Sequence, residues 1–326
     1  MASIYQENQR KKQLNLMRHT DLFDGDTGGA YFMGKQRDFV LNNGDFNLYA
    51  SIRESVKAYF SQNSISWWQG SKPTGHILSS QTACLNHLFP IRDDKNAVLS
   101  IIQAINSDFV DVLPVPYDKE DSYISFEVVS GEDYLNEKQS TRGSQCTSID
   151  ALIYAKHRNG EIWIIPIEWK YTEFYNNQDK STEDRQGAEN RGLNGKGIER
   201  LSRYSELISY SSQLKSLDSY QGSIYFQEPF YQLMRQTLWA EQVITHAKSN
   251  NELFKACNYL HIHVIPSENR DLLQKKYRVS EKEMEETWRS CIVDQSRYKI
   301  IEPHTLLSPI TENYPNLESY LAKRYW

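Results

Sequence analysis

A chain of 326 residues, 39% hydrophobic and 24% charged, is long enough to bury one large core or two ordinary ones and is too apolar to be disordered. A net charge of -5 excludes the global basic field of a histone-like protein, so any nucleic-acid contact falls to local patches and to the 21 Tyr and 7 Trp, which stack on bases as readily as they fill cores. Cys84, Cys146, Cys257 and Cys291 form no C-x-x-C pair and have no histidine at zinc-finger spacing; with a polar N-terminus and no long apolar run, they point to reduced thiols in a cytoplasmic protein with no membrane segment.

Apolar residues recur at three and four positions over 51–59 and 94–109, as in Val98, Ile101, Ile102 and Ile105, which predicts amphipathic helices, with another over 79–89. Residues 1–115 therefore read as a mainly helical N-terminal part. Over 123–129, 148–155 and 161–172 the chain turns β-branched and aromatic between turn-forming Gly, Asn and Ser, which predicts a three-strand meander. A polar insertion at 173–197 precedes helical patterns at 198–217 and 229–246 and a short apolar strand at 259–266. The expected fold class is α/β, with a first core helix in 1–115 and the rest of the core at 116–266, in the order helix, three strands, helix, strand in a mixed sheet. A charged extension, 267–326, helical around 281–293, packs on the same domain.

The strongest local feature is the apolar segment from Ile162 to Ile167 that ends in Glu168-Trp169-Lys170. Period two puts Glu168 and Lys170 on one face of the strand. A carboxylate and an ammonium at the end of a buried strand are costly to desolvate without a partner. The other acid-x-Lys triplet, Asp93-Asp94-Lys95, precedes a helix, whereas Thr147-Ser148-Ile149-Asp150-Ala151 places a lone carboxylate in the preceding uncharged strand. If the hairpin turns near residues 158–160, positions summing to about 319 lie opposite each other, so Asp150 faces Trp169 and flanks Glu168 and Lys170. Two carboxylates meeting across strands are best held ionised by a divalent cation, and hard oxygen ligands favour Mg2+, with the Trp169 carbonyl as a third oxygen and Mn2+ as a substitute. Lys170 then stabilises the attacking water or the pentavalent phosphate. The alternative is a structural ion cluster.

The spacing of Asp150 from Glu168-Trp169-Lys170 across a hairpin resembles the core motif of the PD-(D/E)XK nuclease superfamily. More closely, Ser79-Ser80-Gln81 to Asn86, the Asp150 segment, Pro166 to Glu173 and Pro229 to Gln236 are together similar to a family of restriction endonucleases within it. The resemblance implies metal ligation by Asp150 and Glu168, a catalytic role for Lys170, Mg2+ as cofactor and DNA as substrate. Ile149 replaces the nominal proline, and Gln81 stands where many members have a helix glutamate. Glu127 is a substitute acid or else a surface residue of an edge strand. Gln232 and Gln236, one helical turn apart, share a face, and Gln232 either reaches the centre or is solvated. Pro166 forbids one ladder bond, which predicts an edge or a bulge there.

Arg185, Arg191, Lys196, Arg200 and Arg203 follow the second acidic strand and are either a DNA-binding flap or a solvated loop, since Glu183, Asp184, Glu189 and Glu199 lie among them. His261 and His263 share a strand face, which fits a packed pair better than a metal site. The resulting expectation is a Mg2+-dependent endonuclease of restriction type, acting as a homodimer if it cuts both strands, with a companion methyltransferase. The alternatives are a non-catalytic nucleic-acid-binding module on the same fold and a repair or recombination nuclease.

Overall fold

A computed structural model describes residues 3–68, 70–118, 121–138, 142–143, 146–183 and 195–326. The N-terminal segment, unassigned by periodicity, is helix α1 (Ile4–His19), capped by the Ser3 hydroxyl, which accepts from the Gln6 N–H at 3.1 Å. It buries Gln13, whose amide donates to the Tyr171 hydroxyl (3.0 Å) and the Arg324 carbonyl (2.6 Å). A short hairpin of β1 (Tyr31–Phe32) and β2 (Lys35–Gln36) follows, then α2 (Arg53–Gln62), α3 (Ser80–Leu88) and α4 (Lys95–Ile105). Helix α4 stops four residues short of the expected 109, because the Asn106 side chain takes the Asp108 N–H at 3.0 Å and turns the chain into strand β3 (Phe109–Leu113), which the helical pattern had masked.

Strands β4 (Ile124–Val128), β5 (Ile149–His157) and β6 (Ile162–Trp169) form the predicted antiparallel meander, turning at Gly160, whose φ of +90° suits glycine. Helices α5 (Lys196–Tyr210) and α6 (Phe230–Thr245) lead to β7 (Asn258–Tyr259) and β8 (His261–Val264), both parallel to β6. The expected helix over 198–217 ends at Tyr210, where Ser211 is extended. The tail adds α7 (Arg270–Leu273), α8 (Met284–Cys291), β9 (Tyr298–Ile301), α9 (Pro303–Leu307) and α10 (Pro315–Arg324).

The seven-stranded mixed sheet has the order β3-β5-β6-β8-β9, with β4 also on β5 and β7 also on β6. Strand β6 is central, so the expectation that Pro166 marks an edge is corrected. Along that register Ile165 stands opposite Leu260 and Pro166 opposite His261, so the proline sits where the parallel ladder is interrupted between β7 and β8. Alternation along β5 sends Ala151 and Ile153 into a core with α3, α4 and α10, and Leu152 and Tyr154 into a second core with α5, α6 and α8. The sheet is thus covered on both faces, and the N-terminal and C-terminal helices share one core. No helix among the described residues is long and apolar enough to cross a membrane.

Candidate active site

The β5–β6 ladder pairs residues summing to 318, as in Ala151 with Ile167, so the next position sets Asp150 against Glu168 and corrects by one residue the expected pairing with Trp169. Asp150 Oδ2 instead accepts the Trp169 N–H at 2.7 Å, which ties the carboxylate to the strand that carries the other two groups. Glu168 is 4% exposed and Lys170 5%. The Lys170 ammonium donates to Glu168 Oε1 and to Gln232 Oε1, while the Gln236 amide donates to Glu168 Oε2. Both glutamines come from one face of α6, which explains why their spacing of four matters.

Glu127 completes the group. The β4–β5 register sets it opposite Asp150, and it is 8% exposed rather than the surface residue of the commoner expectation. Its φ of +50° places a non-glycine residue in the left-handed region, which bends β4 and turns its side chain toward the strand end. Arg142 holds that bend, donating to the carbonyls of Phe126 (2.5 Å) and Glu127 (3.1 Å) while its other contacts reach Asp118 (3.1 Å) and the Tyr59 hydroxyl (2.9 Å). Glu127 itself accepts from the Gln81 amide at 2.6 Å and from the Ser148 hydroxyl at 2.9 Å.

Asp150, Glu168, Lys170, Glu127, Gln81, Gln232 and Gln236 line one cleft of about 580 Å³, together with Glu173, Tyr175 and Arg235. Burial, followed by the charges of Glu168 and Glu127, pushes the Asp150 carboxyl well above the usual carboxylate range. Burial also raises Glu127, against its bonds from Gln81 and Ser148. For Lys170 burial acts to lower the pKa, but the surrounding acids, Glu168 foremost, win and keep it an ammonium. Of the three carboxylates, Glu168 pairs directly with Lys170, while Asp150 is held by the Trp169 N–H and Glu127 by Gln81 and Ser148. Among the described residues no three His, Cys, Asp or Glu side chains form a ready-made metal cage. The donor set nevertheless fits Mg2+, which keeps several waters and binds through one or two carboxylates, and no hydrogen bond from the described residues reaches Asp150 Oδ1.

A family model described as Restriction Endonuclease associating with ARP matches residues 4–326. The chain belongs to this family. Membership gives it a nuclease-type role, and the match extends through the N-terminal and C-terminal helices as well as the acidic strands. No curated protein and no solved structure shows significant similarity to it.

Within this restriction-endonuclease chain, then, the cleft gathers Asp150, Glu168, Lys170, Glu127, Gln81 and Gln232. Of the basic segment, the described Lys196, Arg200 and Arg203 do not line it. Arg191, like Arg185, lies outside the described residues; Lys196 is exposed at the start of α5; Arg200 pairs with Glu183, and Arg203 with Glu199 at 2.8 Å. His261 and His263 are buried on β8, and His263 Nδ1 lies 3.0 Å from the Tyr298 hydroxyl. Sequence reasoning missed Gln236 as a site residue, although its spacing from Gln232 was the signal, and missed Tyr175, whose hydroxyl lies 3.4 Å from the Gln232 amide and has no local pattern.

Proposed function

We propose that this protein is a Mg2+-dependent endonuclease of the PD-(D/E)XK type that hydrolyses DNA phosphodiester bonds in restriction. The observation that carries the reading is the convergence of Asp150, Glu168 and Glu127 in one open cleft with Lys170, which pairs with Glu168. Asp150, Glu168 and the Trp169 carbonyl hold the cation, whose chemistry when bound is to acidify a water and neutralise phosphate charge. Gln236 orients Glu168 and Gln232 orients Lys170. The raised pKa of Lys170 makes it a donor and not a base, so it stabilises the attacking water or the charge developing on the phosphoryl oxygens. Cutting both strands needs two such centres, which a homodimer supplies, and a companion methyltransferase protects the host DNA. The test is incubation of unmethylated supercoiled plasmid with wild type and Asp150→Asn, in Mg2+ and in EDTA. Nicked or linear product from wild type in Mg2+ alone is expected; product from Asp150→Asn at the wild-type rate, or product in EDTA, contradicts the reading.

A further inference from the structure

Three rings stand together beside the acidic centre and take no part in it. The Phe32 ring at the end of β1 lies 5.7 Å from Trp68 and 4.9 Å from His76, and Trp68 and His76 are 5.7 Å apart, edge to face. Trp68 and His76 line the same cleft as Asp150, and Trp68 is 39% exposed, unusual for an indole. Phe39 backs His76 at 5.2 Å, and burial lowers the imidazole to about 4, so the platform is uncharged. The Trp68 backbone N–H donates to Gln81 Oε1 at 3.0 Å, and the Gln81 amide donates to Glu127 at 2.6 Å, so Gln81 ties the loop that carries the indole to the acidic centre.

An exposed, uncharged aromatic face takes a flat heteroaromatic ring, and beside a phosphodiester-cutting centre that ring is a nucleobase. In an intact duplex both faces of each base are covered by neighbours, so the indole reaches only a base that is extruded, unpaired or terminal. We infer that Trp68, backed by Phe32 and His76, stacks on a nucleobase displaced from the duplex beside the scissile phosphate, so that DNA with an unpaired base is the preferred substrate. This rests on the nuclease reading above, but its test reads binding.

The probe is 2-aminopurine in short DNA duplexes with closed hairpin ends, placed either in a fully paired position or in an unpaired internal position, with a third duplex carrying it at an open blunt end. The full chain carrying Asp150→Asn is titrated with each in EDTA. Tighter binding and quenched fluorescence are expected for the unpaired internal base. Adding Trp68→Ala should weaken that binding about ten- to hundred-fold and abolish the quench, leave the fully paired duplex unaffected, and be largely reversed by Trp68→Phe. Phe32→Ala, at a ring that backs the indole without lining the cleft, should lose part of the quench and serves as the reporter if Trp68→Ala fails to fold. Unchanged affinity of Trp68→Ala for the unpaired base, or an equal loss on paired DNA, overturns the inference, as does a preference for the blunt end over the internal site. Wild type that cuts plasmid while Trp68→Ala binds every duplex normally refutes the stacking alone; wild type that neither binds nor cuts DNA refutes both readings.

Discussion

Replacing Lys170 with methionine separates its structural from its chemical contribution. Lys170 is 5% exposed, and among the described residues neither of its acceptors, Glu168 and Gln232, has another cationic partner. Its removal leaves Glu168 facing Asp150 and Glu127, with the Gln236 amide as the remaining donor to Glu168 among the described residues. Breaking a buried ion pair from one side costs about 3–5 kcal/mol. With about 2.1 cal/mol/K of unfolding entropy per residue over 326 residues, this lowers Tm by roughly 4–7 °C in metal-free protein. Added Mg2+ restores much of that loss, because a cation again neutralises the carboxylates, yet single-turnover cleavage stays about 100- to 1,000-fold below wild type. Calorimetry in EDTA and in Mg2+, beside cleavage at equal folded fraction, reads both effects. An unchanged Tm refutes the electrostatic argument, and cleavage near the wild-type rate refutes the catalytic role.

Asp150 and Glu127 have folded-state pKa values raised by burial, so the stability of their protonated forms is present at low pH and lost as pH rises through those values. Asp150→Asn should therefore stabilise metal-free protein relative to wild type at pH 7, with the gap closing toward about pH 4; thermal melts across that range check it, and a gap that widens in acid contradicts it. Arg142→Met strips the clamp from the Phe126 and Glu127 carbonyls and leaves Asp118 with the hydroxyls of Tyr59, Ser122 and Ser125 but without its charge partner, costing about 3–5 kcal/mol in denaturant melts. A loss below about 1 kcal/mol would show that the bend holds itself. Arg200→Gln and Arg203→Gln should leave the salt dependence of DNA binding unchanged, because Glu183 and Glu199 already neutralise these cations; a slope reduced by about one unit per substitution would make them phosphate contacts.

The Asp150, Glu168 and Lys170 set was legible because it depends only on strand periodicity and one tight hairpin, and the meander followed from the same pattern. Glu127 was ambiguous because its direction depends on a left-handed residue held by Arg142, a contact 15 positions away that alternation cannot encode. Strand β9 was hidden in a charged tail, and β3 followed a helix whose apolar spacing ran on past Asn106. Helix α1 was missed because its buried face includes Gln13, a polar residue whose amide N–H groups are taken up by Tyr171 and Arg324, both distant in sequence. The Trp68 platform joins a hairpin and a loop, and no local period links them.

The central claim is that Asp150 and Glu168 hold one divalent cation between them. Calorimetric titration of Mn2+ into metal-free wild type, Asp150→Asn and Glu168→Gln measures this without reference to any DNA sequence. Saturable binding to wild type and its loss in each variant is the predicted result. Wild-type affinity retained in either variant would contradict the shared site.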